Sequence, residues 1–383
     1  MILVKNAKLF TMGERDYPDG GDLLVENGKV KAVGNDLPAS GAKVIDASGK
    51  YVLPGLIDAH CHIGMWEDGM RDEGSDGNEM TNPVTPELRA IDGINPFDPC
   101  WQEALEAGVT TVATGPGSAN VIGGQFVAMK TTPGPIESRI LREPLALKTA
   151  FGENPKGVYR DQNKAPSTRM ATASIFRQAM IDGLAYAAKM ACDDAEKRPD
   201  RNLAKEMLAL AATGKLRVKA HAHRCDDILT ALRLRTEFSL DMSIEHCTEG
   251  YLIADALKRA GVPVILGPIL SARTKIELRN LTFRAPAVLH KAGVRFAIMT
   301  DSPVIPLEYL TLEAALSVRE GLPEREALLA ITKNAAWCIG MDDTIGSLEP
   351  GKDADFAIYD GHPLDARVRA RQVYVSGALA AER

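Results

Sequence analysis

Five of the seven histidines in this 383-residue chain sit in three short apolar segments: His60 and His62 in GLIDAHCHI, His221 and His223 in LRVKAHAH, and His246 in DMSIEHC. A fourth segment, VRFAIMT, runs directly into Asp301. Imidazole and carboxylate are the donors that suit Zn2+ or another divalent first-row ion. One His-x-His pair carries little weight, because core and surface pairs are common. Three segments ending in histidine and a fourth ending in aspartate point instead to one site assembled from distant parts of the chain. Side chains two apart on a strand share a face, so His60 and His62 aim together, and His223 aims with His221. Cys61 and Cys247 face the other way on such strands and read as packed thiols.

The elements that position these residues alternate short apolar runs with helical stretches, the pattern of a parallel α/β fold. Eight strand candidates suit a closed (β/α)8 TIM barrel: GLIDAHCHI, GVTTVATG, GQFVAMKT, PLALKTAF, LRVKAHAH, DMSIEHC, VPVILGP and VRFAIMT. In such barrels the strand C-termini form the active face, which is where the histidines and Asp301 fall. The repeat is imperfect, since no helix is evident between the second and third strands. More than thirty loop residues follow the first strand, long enough to be a functional lid. Both chain ends carry hairpin grammar, as in DLLVENGKVKAVG and RQVYVSGAL. Neither end alone supplies a stable sheet. The expectation is one small β domain built from 1–53 plus 345–383, with the barrel, 54–344, inserted between.

Composition excludes several classes. A net charge of −6 gives no basic stripe for nucleic acid, and no apolar run reaches the ~18–20 residues of a membrane span. MILVKNAKLF alternates like a strand and does not read as a signal peptide. Six cysteines without close pairing fit reduced thiols in the cytoplasm. The expected partner is a small-molecule substrate, and a homo-oligomer is compatible with the sequence.

Taken together, LPGLIDAHCHIG, SIEHC, MTDSP and IGSLEPGKDADFAIYD resemble the amidohydrolase superfamily, most closely its imidazolonepropionase-like branch, over essentially the whole chain. The resemblance implies a (β/α)8 barrel with a small β-sandwich from both termini. It implies that His60, His62, His221 and His246 surround one or two metals, Zn2+ by expectation, and that Asp301 touches metal and acts as acid/base. A divalent ion lowers the pKa of bound water toward ~7, and Asp301 can then pass a proton to a leaving nitrogen. The expected reaction is hydrolysis of an amide-type C–N bond, in a dipeptide, an N-acyl amino acid or a cyclic amide. In binuclear relatives the fourth strand supplies a carboxylated lysine or a glutamate. ALKTAFGE offers Lys148 for the first and Glu153 for the second. Five residues apart on a strand, the two face opposite ways unless Gly152 turns the chain.

The sequence departs from deaminases and imidazolonepropionases at one place. Those enzymes carry a glutamate three residues after the fifth-strand histidine, where this chain has Arg224. That lowers deamination and imidazolone-ring opening to alternatives. Arg224 reads equally as a substrate-carboxylate contact or as a salt bridge to Asp226 or Asp227. His223 reads as a substrate contact or a group supporting the ligands. Arg273 and Lys275 after the seventh strand, with Arg169, could read an anion, whereas the lid is acidic at Glu67, Asp68, Asp72, Glu73, Asp76 and Glu79. Solvation alone explains an acidic lid. A scaffold protein that has lost its metals is the competitor from another class, and the intact donor set argues against it.

Overall fold

The computed structural model describes all 383 residues. Five strands open the chain: β1 (Ile2–Leu9), β2 (Tyr17–Glu26), β3 (Lys29–Gly34), β4 (Lys43–Asp46) and β5 (Tyr51–Pro54). The next eight are β6 (Leu56–Cys61), β7 (Val109–Thr114), β8 (Ile122–Lys130), β9 (Ile140–Ala150), β10 (Arg217–Ala222), β11 (Met242–His246), β12 (Val264–Leu266) and β13 (Phe296–Ile298). Three more close the chain: β14 (Phe356–Tyr359), β15 (Ala370–Val375) and β16 (Ala378–Glu382).

Strands from both ends join in one hydrogen-bonded sheet of order β16-β15-β14-β5-β1-β2-β3, with β4 also paired to β1. The junction is β14 on β5, antiparallel, with Phe356 opposite Pro54 and Tyr359 opposite Tyr51. The family expectation was a small β-sandwich from both termini; the strands of the two ends are joined in this one hydrogen-bonded sheet. Val4, Leu23, Val52, Phe356 and Ile358 fill one apolar cluster, and Leu53, Ala357 and Val373 meet barrel-side Leu105 and Leu328 in another. Lys130, at the end of β8, is nearly buried and pairs with Asp353 at 3.0 Å and with Asp355, tying barrel to sheet.

The second sheet runs β6 to β13 in sequence order, but it is not the uniform parallel barrel expected. β8 is antiparallel to both β7 and β9. The reason is length. A parallel return needs a crossover of a dozen or more residues, and the link GPGSANV from β7 to β8 is too short, so the chain doubles back. From β9 onward every pairing is parallel. The sheet nearly closes, and the seam between β13 and β6 is stitched by side chain and loop. Asp58 accepts from the Thr300 N–H at 2.8 Å and the Thr300 hydroxyl at 2.7 Å, and the His62 N–H donates to the Ser302 carbonyl at 2.7 Å.

The lid after β6 is tied down along β8: the Thr85 N–H donates to the Ile122 carbonyl and the Gln125 N–H to the Leu88 carbonyl. Asp68, Asp72, Glu73, Asp76 and Glu79 are exposed, and Glu67 is half-buried, which is the solvated arrangement. All six cysteines are free, with Cys61 and Cys247 packed in the core. No helix is long and apolar enough to cross a membrane.

Candidate metal centre

A cleft of about 380 Å³ opens at the C-terminal ends of the barrel strands, with His62, His221, His223, His246 and Asp301 among its walls. Two sets of donor atoms gather there, His60, His62 and Asp301 in one and His221, His223 and His246 in the other, each set within 4.8 Å. The two sets adjoin, since the His60 and His246 rings lie 5.4 Å apart.

Local hydrogen bonds orient the rings. His62 Nδ1 lies 2.6 Å from the Gly115 carbonyl and His246 Nδ1 lies 2.9 Å from the Gly267 carbonyl. A carbonyl only accepts, so both rings carry the proton on Nδ1 and turn a bare Nε2 to the cleft. His223 Nδ1 meets the Thr248 hydroxyl at 2.8 Å. Neither nitrogen of buried His221 has a partner, and Asp301 Oδ1 has none either. Burial first, then neighbouring positive groups, pushes the pKa of His60, His221, His223 and His246 well below the usual range. Neutral imidazole is the form that binds metal. Orphaned buried donors and neutral rings fit a divalent ion.

Strand alternation explains most placements. Asp58 with His60, Lys219 with His221 and Ser243 with Glu245 are i, i+2 pairs on interior faces. His246 breaks the alternation: it and Cys247 take positive φ, 68° and 50°, as does Asp301 at 54°. Non-glycine residues there cost about 1–3 kcal/mol each. The twist lets Glu245 and His246, though adjacent, both reach the barrel interior.

Beneath the first cluster lies a buried ionic layer. Lys148 Nζ sits 3.0 Å from His60 Nε2, and the side chain is fully buried. Burial pushes its ammonium down to about 7, opposed by Asp301 and Glu245. Glu245 Oε2 lies 3.0 Å from both His60 Nδ1 and Lys219 Nζ. Burial also lifts the Asp58 carboxyl to about 6, against its hydrogen bonds to His60 and Thr300.

Three expected site residues stand elsewhere. Gly152 does turn the chain (φ 93°), but into the helix Glu153–Asp161. Glu153 therefore faces the Glu277 N–H, at 3.4 Å, and is not among the cleft-lining residues. Arg224 is held by Asp226 in a two-bond fork at 3.0 and 2.9 Å. Arg273 donates to the Leu281 carbonyl at 2.7 Å and lies outside this cleft. His223, expected as a substrate contact or support, stands inside the second histidine cluster.

Two acids escaped the sequence reading. Glu245 precedes His246 in SIEHC, and simple alternation would place it opposite that histidine. Glu277 follows Lys275 by two residues in a loop without periodicity; a buried-side acid there leaves no pattern to find. Glu277 is 1% exposed. Its Oε2 accepts from the Glu153 N–H at 3.2 Å, while Oε1 has no partner and points toward His223 Nε2 at 3.6 Å and His221 Nε2 at 3.9 Å.

Comparison with known proteins gives the family. The model of the amidohydrolase family matches residues 51–379. The crystal structure of an amidohydrolase from Thermotoga maritima MSB8 superposes over the full length of both chains, with a TM-score of 0.97 and 44% identity. The imidazolonepropionase of Paracoccus denitrificans is 27% identical over 96% of this chain and 96% of its own. Amidohydrolase tasK of Hapsidospora irregularis is 30% identical over 93% of this chain, which spans only 39% of that protein. The chain belongs to the amidohydrolase family.

Proposed function

We propose that this protein is a metal-dependent hydrolase that cleaves an amide-type C–N bond of a small molecule. The observation that carries the reading is the convergence of orphaned donors: both nitrogens of His221 and Asp301 Oδ1 lack partners although buried, at the floor of one cleft. His60, His62 and Asp301 would hold one divalent ion, and His221 and His246, with His223 beside them, a second, zinc being the expected element. Such an ion, when bound, acidifies water and polarises a carbonyl.

The chain's own residues do the rest. Asp301 Oδ1, 3.1 Å from His62 Nε2, accepts the proton as water adds to the carbonyl carbon and returns it to the departing nitrogen, so the C–N bond breaks to give a neutral amine. Lys148, next to His60, would supply an anion beside the first cluster once its neutral amine adds CO2, forming an N-carboxylate and releasing one proton. The depressed pKa keeps that amine available near neutral pH. Trp66, from the tied-down lid, covers the His62 side of the cleft and helps exclude bulk water.

A second reading, opening of a cyclic amide, is favoured by relatives named imidazolonepropionase that match over nearly their whole length. Against it stands Arg224, which occupies the position of the expected glutamate and is turned onto Asp226.

The test is Asp301→Asn, assayed on dipeptides, N-acyl amino acids and cyclic amides. Turnover should fall by at least about a thousandfold, on the order of one lost acid/base group, while metal content of protein loaded with excess metal stays near that of the parent, because the asparagine keeps a side-chain oxygen at the ligand position. Near-normal turnover would refute the role.

A further inference from the structure

We propose that Lys275, Asn154 and Ser118 form a subsite that takes a carboxylate of the substrate. The inference rests on the amide-hydrolase reading and adds a substrate class to it.

Four basic side chains come from segments around the barrel mouth, and three are committed elsewhere. Arg224 is forked onto Asp226, Arg169 is forked onto Asp227 at 2.8 and 3.0 Å, and Arg273 is spent on a backbone carbonyl. Lys275 is the one lysine or arginine among the residues lining the cleft that holds His223 and Asp301. Its side chain is 42% exposed, and its nearest acid, Glu277, is 4.0 Å away, beyond hydrogen-bond reach.

The donors beside it are ordered. Lys275 Nζ donates to Asn154 Oδ1 at 3.0 Å, and Asn154 Nδ2 donates to Ser118 Oγ at 2.7 Å. All three side chains line the same cleft. An ammonium has three protons and a hydroxyl one. Lys275 uses one proton on Asn154, and Ser118 accepts there, so both ends of the row keep free donors facing the cleft. Two free donors, one of them charged, match the two oxygens of a carboxylate. The asparagine between them fixes their spacing. A neutral or cationic group at that end of the substrate would leave the free protons of the ammonium without an acceptor within hydrogen-bond reach.

The test measures binding apart from turnover. N-acetyl amino acids and their neutral carboxamides are titrated calorimetrically into metal-loaded Asp301→Asn protein, with and without a second change, Lys275→Met or Lys275→Arg. The acids should bind about 10- to 100-fold tighter than the amides, the range of a hydrogen bond to a charged group. Lys275→Met should abolish that preference while leaving amide binding unchanged, and Lys275→Arg should keep most of it. In wild-type protein the same change should raise KM for acids and leave kcat nearly constant. Equal weakening of acid and amide by Lys275→Met would make the lysine a support for the Glu277 loop and overturn the proposal. So would the absence of carboxylate-dependent binding across the panel. If wild-type protein binds acids with this preference yet hydrolyses none, the amide-hydrolase reading fails and the subsite stands.

Discussion

The two histidine clusters are held in different ways. His60 rests on a layer of buried charge, with Lys148 at its Nε2 and the Glu245–Lys219 pair at its Nδ1, all inside the barrel. His223 is held from outside the strands by the Thr248 hydroxyl, and a carboxylate brought in on a loop, Glu277, faces His223 at 3.6 Å and His221 at 3.9 Å. The first arrangement is part of the core, so its acids serve fold and site together. The second is added to a finished barrel, so its acid can be changed with little cost to the fold.

That contrast can be broken by experiment. Glu245→Gln should cause the larger effect. It removes the counter-charge of buried Lys219, which then has only neutral acceptors such as the Ala59 carbonyl at 3.0 Å, and breaking a buried ion pair from one side costs about 3–5 kcal/mol. Urea unfolding should show that loss, and tight packing of charge in the barrel would be disproved by an unchanged midpoint. Glu277→Gln should be milder on the fold, within about 1 kcal/mol, because the amide oxygen can still accept from Glu153. Its mark should instead fall on the metal, with affinity lowered about 10- to 100-fold, as is common for groups behind the ligands. Competition with a chelator measures it. A destabilised Glu277→Gln protein with unaltered metal affinity would reverse the comparison.

Sequence reading reached the first kind of information far better than the second. His60, His62, His221, His246 and Asp301 were legible because strand alternation and strand ends dictate where they aim. Lys148 was reached only through the family resemblance, not through strand alternation. Glu245 was hidden by the left-handed turn at His246, which cancels the alternation that would have excluded it. The Glu153 expectation failed because Gly152 steers the chain into a helix, and Glu277 arrives at the histidines from a loop some 120 residues on. Arg273 misleads in the same way, since it finds a backbone carbonyl that only the folded chain supplies, whereas the Arg224–Asp226 pair was one of the two readings the sequence offered. The antiparallel β8 was written in the shortness of GPGSANV, and the eight-strand count concealed it.

Both histidine clusters are proposed to hold divalent ions. Elemental analysis of the protein, purified without chelator from metal-supplemented medium, tests this most directly. The expected result is one to two equivalents of a first-row divalent metal per chain, zinc foremost, removed by a strong chelator together with activity. A trace far below one equivalent, in protein that is folded and cannot be loaded by added metal, would contradict it.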